Sequence, residues 1–555
     1  MKKSILTVFA VLTSLIITAQ GLENKIPNNA DVVVAINGSN LIQLVPTDIF
    51  DEYSFTQEIF RDINRKRDSL YEISSIDELG FDLNSKGYYF YKHTDSIEYH
   101  NLLFKLSDKD KFESFISEII DKKVVESGYN FIEDHSSITM WNDEFLLFTG
   151  FEEEYDYFDY DALMTKEEYQ DMSFYEVKNL LASQWAKAYT VNIFNSNNQG
   201  SNFKVDDNKA ASAWITDYNR LMLGVLSYVD PLNLAANYAS GIESLKADLY
   251  FEGNTSKLVL ETTVNPEFQK VFEKIYDSKM NKTFYNYLDV DNLLGYASVS
   301  MNSQAMIEEY PYIIESSYSM IYPEYKDEIS LGTDLLAIFL DEEAIGGLAT
   351  GDGLFILDDI ETRMVTYTEY DYDENYEMIE YTSEKEEQVP SFTFMIGTKE
   401  KDFLYKVGKW GAKKEVLEEG NGYYKFTPGR ELPVDVYTAV KNDILFFTTS
   451  EEKIQDILDG KITRNPGAHK KIINANSSVM YVNTKKLIAK IPEESLNAEE
   501  EQAADFAQKT FDDIYFKGSR IKGNKILMEM DLHTSNEEQN ALRSFLDYLH
   551  LVVED

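Results

Sequence analysis

The chain has 555 residues, of which 43% are hydrophobic and 14% aromatic, enough apolar material for buried cores and against wholesale disorder. Its 97 acidic residues against 52 basic ones give a formal charge of -45. That balance argues against nucleic acid, where Lys and Arg must neutralise phosphates, and against docking on an anionic lipid surface. Cysteine is absent, which excludes disulfides, thiol nucleophiles, thiolate zinc sites and lipid attachment through an N-terminal cysteine.

Met1-Lys2-Lys3 is a basic head, and Ser4 to Thr18 an apolar run of signal-peptide length, with the small residue Ala19 at the expected cut. The run is short for a spanning helix, which needs about 20 apolar residues. Residues 1–19 are therefore read as a cleaved export signal, with no stable membrane span left after cleavage. The expected location is the periplasm or the extracellular space.

After Pro27-Asn28-Asn29-Ala30-Asp31 comes a strand, Val32 to Asn37, and a helix start through Gly38-Ser39-Asn40 to Leu41 and Leu44. This opening unit recurs at Gly295–Ser300, followed by Asn302-Ser303, and at Ser478–Asn483, followed by Leu487-Ile488. A weaker fourth copy is Ala188–Ile193. The next unit, Leu102 to Thr149, reads as strand, turn, helix and strand. Its helix begins near Asp108 and sets Phe112, Phe115, Ile116 and Ile119 on one apolar stripe. Asn142-Asp143 supplies a tight turn before the strand Phe145–Phe148. Ser391 to Thr449 repeats the plan, with Phe403, Val407 and Trp410 as the matching stripe and Asn442-Asp443 as the turn. Both stripes are expected in the core.

A third unit closes each half. Ala235–Ala239, the strands at Leu249 and Lys257, and the helix stripe Phe268, Val271, Phe272, Ile275 match Ala503–Ala507, the strands at Ile514 and Lys525, and the stripe Leu542, Phe545, Leu546, Leu549. Three matched units in one order predict a tandem duplication, residues 24–283 and 284–555. The expected modules are 24–150 and 178–283 in the first half, and 284–450 and 470–555 in the second. The expected fold class is α+β, with mostly antiparallel sheets and helices packed on one face. Phe151–Met172 and Glu361–Gln388, both rich in Tyr and carboxylates, break the symmetry as insertions. The second is predicted to be a solvated β-hairpin turning at Asp373-Glu374-Asn375.

Few constellations carry chemistry. Asp371, Asp373 and Asn375 have the first spacing of a calcium loop, but Tyr376 stands where Gly is wanted and Thr382 where a bidentate Glu belongs. Asp159-x-Asp161 fails in the same way at Gln170. The six histidines, His93, His100, His135, His469, His533 and His550, show no zinc spacing. Asp134-His135-Ser136 is adjacency in sequence, and a triad is defined by geometry in space. Gly346-Gly347-Leu348-Ala349-Thr350-Gly351-Asp352-Gly353 lacks the Gly-Lys-Ser/Thr ending of a phosphate loop and reads as a flexible turn between strands. No residue is assigned as catalytic, cofactor-binding or metal-binding, and no cofactor is expected.

The stretches Ile26–Asn37, Ile76-Asp77-Glu78-Leu79-Gly80-Phe81-Asp82-Leu83, Lys109-Asp110-Lys111-Phe112 and Asn142-Asp143 together resemble a family of exported bacterial proteins of unknown function. The resemblance covers mainly the first half and implies no activity. Many members of that family look like lipoproteins, from which this chain departs by having no cysteine. The expectation is a non-enzymatic cell-envelope binding or assembly protein, whose partner is an unknown protein or envelope ligand. Two other readings are an exported hydrolase with a carboxylate-based site between the halves, and a calcium-dependent adhesion module.

Overall fold

The structure is a computed structural model that describes residues 21–553 apart from 67–71, 120–123, 127–128, 135, 154–162, 170, 199–201, 217, 219–240, 373–377, 429–433 and 493–494. The fold is mixed α+β, built on antiparallel sheet. Backbone contacts divide the chain into two compact units. Unit 1 takes residues 1–221, 243–260 and 534–555; unit 2 takes 222–242 and 261–533. The units interleave along the chain: the helix Pro266–Tyr276 belongs to unit 2, and the last helix, Ala541–Val553, belongs to unit 1.

In unit 1 the strands are β1 (Val32–Ile36), β2 (Gly87–His93), β3 (Ile97–Lys105), β4 (Val124–Glu126), β5 (Tyr129–Asp134), β6 (Ser137–Trp141), β7 (Phe145–Glu153), β8 (Ala211–Ile215) and β9 (Ile242–Glu252). They pair in the order β9-β8-β1-β2-β3-β7-β6-β5-β4, antiparallel throughout. β9 turns at Gly253 into β10 (Thr255–Val264). The apolar runs Leu102-Leu103-Phe104 and Phe145–Phe148 are buried on both faces. Leu102, Phe104, Leu146 and Phe148 join the helices Ser54–Lys66 and Lys109–Ile119 in one core, and Leu103, Phe145 and Leu147 join the helix Phe174–Asn195 in another. Helices thus cover both faces here, not one, because strands apolar on both sides need cover on both.

Ala188–Ile193, read from sequence as a strand, lies inside the helix Phe174–Asn195. A capping box between Ser173 and Glu176 starts that helix, and Ala182, Ala186, Thr190 and Ile193 form one buried stripe at helical spacing. The opening strands Val32–Ile36, Gly295–Ser300 and Ser478–Asn483 are strands, and the helices follow them as expected.

In unit 2 the strands are β11 (Gly295–Ser300), β12 (Asp352–Tyr372), β13 (Met378–Gly397), β14 (Glu418–Glu419), β15 (Tyr424–Phe426), β16 (Val436–Lys441), β17 (Ile444–Thr448), β18 (Ser478–Asn483), β19 (Phe511–Gly518) and β20 (Lys525–Thr534). Their order is β19-β18-β11-β12-β13-β17-β16-β15-β14, again antiparallel throughout. Ten strands on, each position repeats the order of unit 1. The parallel reaches individual pairs: Asn101 faces Thr149 across β3 and β7, and Thr393 faces Thr448 across β13 and β17. β12 and β13 pair out to Tyr372 and Met378, so the predicted hairpin forms, with its turn outside the described residues.

One face of the unit 2 sheet is closed. Tyr296, Leu354, Ile356, Met395, Ile444 and Phe446 are buried with Ile454 and Ile457 of the helix Glu451–Asp459. The opposite face carries Phe355, Phe392, Phe394 and Phe447, which meet in pairs at ring separations of 5.5 and 6.3 Å and are only half-buried. A separate core forms where the helix Pro266–Tyr276 packs with Phe268, Val271, Phe272 and Ile275 against Ile313 of the helix Ser303–Ile321. In the matching last helix, Leu542 and Leu546 pack on the unit 1 core, while Phe545 is exposed and Ala541 and Ser544 take the buried positions.

Candidate interaction surface and polar cavity

The strand-turn-helix segments of the two units differ in how their helices lie. In unit 1, Phe112, Phe115 and Ile116 are buried as expected. Phe112 meets Phe81 and Trp141 at ring separations of 5.8 and 5.6 Å, and Phe60 and Ile63 of the helix Ser54–Lys66 complete the same core. In unit 2 the expected core stripe is on the outside. On the helix Lys401–Lys413, Phe403, Val407 and Trp410 are 50%, 44% and 62% exposed.

The cause is the opposite helix face. Gly408 lies against the Tyr424 ring and Gly411 against the Leu417 side chain, so closely that a Cβ at either would overlap them. The helix therefore settles on its glycine side and turns its bulky side outward. Lys406, Lys409 and Lys413 rim the exposed stripe, so a basic, aromatic face stands on a strongly acidic chain. Glycines at the inner positions were the available signal, and stripe spacing alone missed it.

A second uncovered stripe lies in the same unit. On the helix Lys326–Phe339, Leu331, Leu335, Ile338 and Phe339 follow at i, i+4, i+7 and i+8, and Ile338 and Phe339 are 74% and 83% exposed. Asp327, Glu328 and Asp334 flank it. Large apolar groups clustered on a surface with a polar rim mark a contact site.

Beside the N-terminal end of the helix Lys401–Lys413 is an open cavity of about 570 Å³, lined by Asp277, Ser278, Asn281, Asn302, Thr350, Asp352, Gly397, Thr398, Lys399, Lys401 and Asp443. Local hydrogen bonds fix its wall. Asn302 Oδ1 caps the helix Ser303–Ile321 by accepting from the Ala305 N–H at 3.1 Å. Thr398 donates its N–H to the Asp443 carbonyl at 2.9 Å, and its Oγ1 accepts from the Glu400 N–H at 3.2 Å. Asn442 and Asp443 both take positive φ, +53° and +58°, forming the tight turn that their short polar side chains tolerate. Lys401 lies 3.6 Å from the Asp443 carboxylate.

Asp352 is the distinctive group. Its Oδ1 is buried with no hydrogen-bond partner. Burial raises its pKa to about 6; the nearby Ser300 hydroxyl and the Asn281 backbone N–H oppose that shift. Ser300 Oγ also lacks a partner, so it lends polarity to the carboxylate without completing a bond of ordinary geometry. The cavity can hold a proton and can accept a polar ligand.

The glycine-rich stretch enters this wall differently from the sequence reading. Gly346 and Gly347 belong to the helix Glu342–Leu348, and the turn before β12 follows a helix rather than a strand. Gly351 takes φ +93°, and a Cβ there would overlap the Met301 carbonyl oxygen.

The other singled-out residues do not converge. Asp159, Asp161, Gln170, Asp373, Asn375, Tyr376 and His135 lie outside the described residues, while Asp371 falls in β12 and Thr382 in β13. His93 pairs with Glu98 at 3.2 Å, His100 with Tyr89 at 2.8 Å and His533 with Asp513 at 2.6 Å. His469 sits among Tyr296, Tyr481 and Tyr515, and His550 accepts from the Ser54 N–H at 3.0 Å. Among the described residues no group of three His, Asp or Glu side chains is placed to hold a metal ion, and no helix is long and apolar enough to cross a membrane.

No family model matches the chain, and no curated protein matches it. Among solved structures, crystal form IV of TP0453 aligns over 48% of this chain and 89% of that one, at 11% identity and a TM-score of 0.26. Crystal form III gives the same coverage at 10% identity and a TM-score of 0.24, and crystal form I covers 45% and 80% at 10% and 0.22. Similarities this low carry no inference about fold or function. The resemblance to exported bacterial proteins therefore stands on its sequence motifs alone.

Proposed function

We propose that the chain is an exported, non-enzymatic binding or assembly protein of the cell envelope, made of two copies of one α+β plan. The observation that carries the reading is the uncovered stripe Phe403, Val407 and Trp410 with its lysine rim. A folded chain that leaves such residues in water forgoes the free energy of burying them, which a partner that covers them recovers. Equal strand orders in the two units support the duplication. Met1-Lys2-Lys3 and the apolar run to Thr18 support export to the periplasm or beyond.

The test is a photo-crosslinking residue at Val407 in the full chain, expressed in a bacterium with two membranes and followed by fractionation. Adducts formed in the envelope fraction, on a chain that has lost residues 1–19, are the expected result. A chain retained in the cytosol with Met1 in place, or one that forms no adduct, would overturn the proposal.

A hydrolase is the second reading, and one observation favours it: Asp352 holds its proton up to about pH 6 inside a polar cavity. Turnover of simple glycosides or esters that Asp352→Asn abolishes would decide for it.

A further inference from the structure

We infer that unit 2 associates with a second copy of this chain, the acidic stripe of the helix Lys326–Phe339 seating on the basic stripe of the helix Lys401–Lys413. The inference rests on the binding-or-assembly reading and names its partner.

Unit 1 shows what such a helix face accepts. There the stripe Phe112, Phe115 and Ile116 is covered by the helix Ser54–Lys66, through Phe60 and Ile63. That covering helix lies between β1 and β2 in the chain and is followed by the short helical turn Ile76–Leu79. Of the helices between β11 and β12 in unit 2, the one in the corresponding place, before the short helix Glu342–Leu348, is Lys326–Phe339. It leaves its own stripe in solvent, and Phe403, Val407 and Trp410 are in solvent with it. Within one copy, then, neither stripe covers the other.

The two faces match in both terms that govern contact. Each is an apolar ridge at helical spacing, the form in which ridges pack into grooves. Their rims are opposite in net sign: Asp327, Glu328 and Asp334 on one helix, and Lys406, Lys409 and Lys413, with Asp402 as the one acid in the first turn, on the other. A pairing of two basic stripes, or of two acidic ones, would set like charges together. Opposite rims select the heterologous pairing and suppress the alternatives. At physiological salt, screening over roughly 8 Å lets these local charges act despite the negative total. Used once per contact the pairing runs head to tail; used reciprocally it closes a two-fold dimer.

The experiment is sedimentation velocity on the chain from residue 20 across a concentration series, at low and high salt. The wild type is expected to associate, more weakly at high salt. Trp410→Glu is expected to raise the dissociation constant by roughly tenfold or more, as for a buried aromatic anchor. Lys406→Glu with Lys409→Glu, and separately Asp327→Lys with Glu328→Lys, should each sediment as monomers. Mixing those two charge-reversed variants should restore association, which a misfolded variant could not do. A wild type monomeric at every concentration, or association that survives Trp410→Glu, would overturn the inference. So would failure of the mixture to associate. If the wild type is monomeric yet the Val407 crosslinker still forms envelope adducts, self-association falls and the binding reading stands. Binding to anionic vesicles without self-association would assign the basic stripe to lipid instead.

Discussion

Asp352→Asn removes a charge that the fold holds at an energetic cost. The carboxyl sits at the first residue of β12 with Oδ1 buried and unpartnered, and its pKa rises to about 6 against 3.8 for the free group. A folded-state value above the unfolded one means that the native state binds the proton more tightly. Stability from this group is therefore present in full below about pH 4 and is lost as pH rises to about 6. A gap of about two pKa units sets an upper limit of about 3 kcal/mol, and the side chain's partial exposure screens this to about 1–2 kcal/mol. Asparagine keeps the shape and abolishes the charge. The variant should be more stable than the wild type by about 1–2 kcal/mol at pH 8, and by about half of that at pH 5. Urea unfolding followed by circular dichroism at the two pH values measures this, read on whichever transition the substitution moves, since two units need not unfold together. A variant less stable at pH 8, or a gain equal at both pH values, would refute the assignment of a buried, poorly solvated carboxylate.

Further outcomes follow from the packing and from one histidine pair. Phe112→Ala, at a site with no solvent exposure, should cost about 3–5 kcal/mol, while Phe403→Ala at the matching place in unit 2 should cost under about 1 kcal/mol; equal losses by denaturant titration would show that both stripes are core. Gly80 takes φ +79°, and a Cβ there would overlap the Asp108 carbonyl, so Gly80→Ala should destabilise by at least about 2 kcal/mol. Gly253→Ala, at φ +58° with open space around it, should cost only about 1 kcal/mol, and the pair of midpoints separates steric overlap from backbone preference. The Asp513 hydrogen bond raises the His533 pKa, so its contribution is complete below the unfolded value of about 6.5 and is lost as pH rises through the folded one. His533→Gln should therefore cost up to about 1 kcal/mol at pH 5.5 and nothing at pH 9, by thermal melts at each pH.

Local sequence signals set the elements and much of their order. Strand alternation, the Asn-Asp turns and the amphipathic periods at Phe112 and Phe268 are local signals, and local backbone preference decided them. The long hairpin around residues 361–388 was legible for the same reason, because its strands are marked by residues next to one another in the chain. Ala188–Ile193 was misread because a short apolar run fits either period; the capping box at Ser173 and the four-residue spacing of Ala182, Ala186 and Thr190 decided for helix.

Which stripes are covered depends on packing between distant segments. Phe112 and Phe403 hold like positions in the two units, and stripe spacing does not distinguish a stripe that meets a neighbour from one that does not. Gly408 and Gly411 set the unit 2 helix down on its small side, a choice made by what lies beneath, the Tyr424 ring and Leu417. The polar cavity was equally hidden, since Asp277, Asp352, Lys399 and Asp443 are far apart in the chain and meet only when β12, β13 and the turn after β16 come to one end of the sheet. Burial is a property of contacts between distant segments, so period and composition can nominate a core face, but packing alone assigns it.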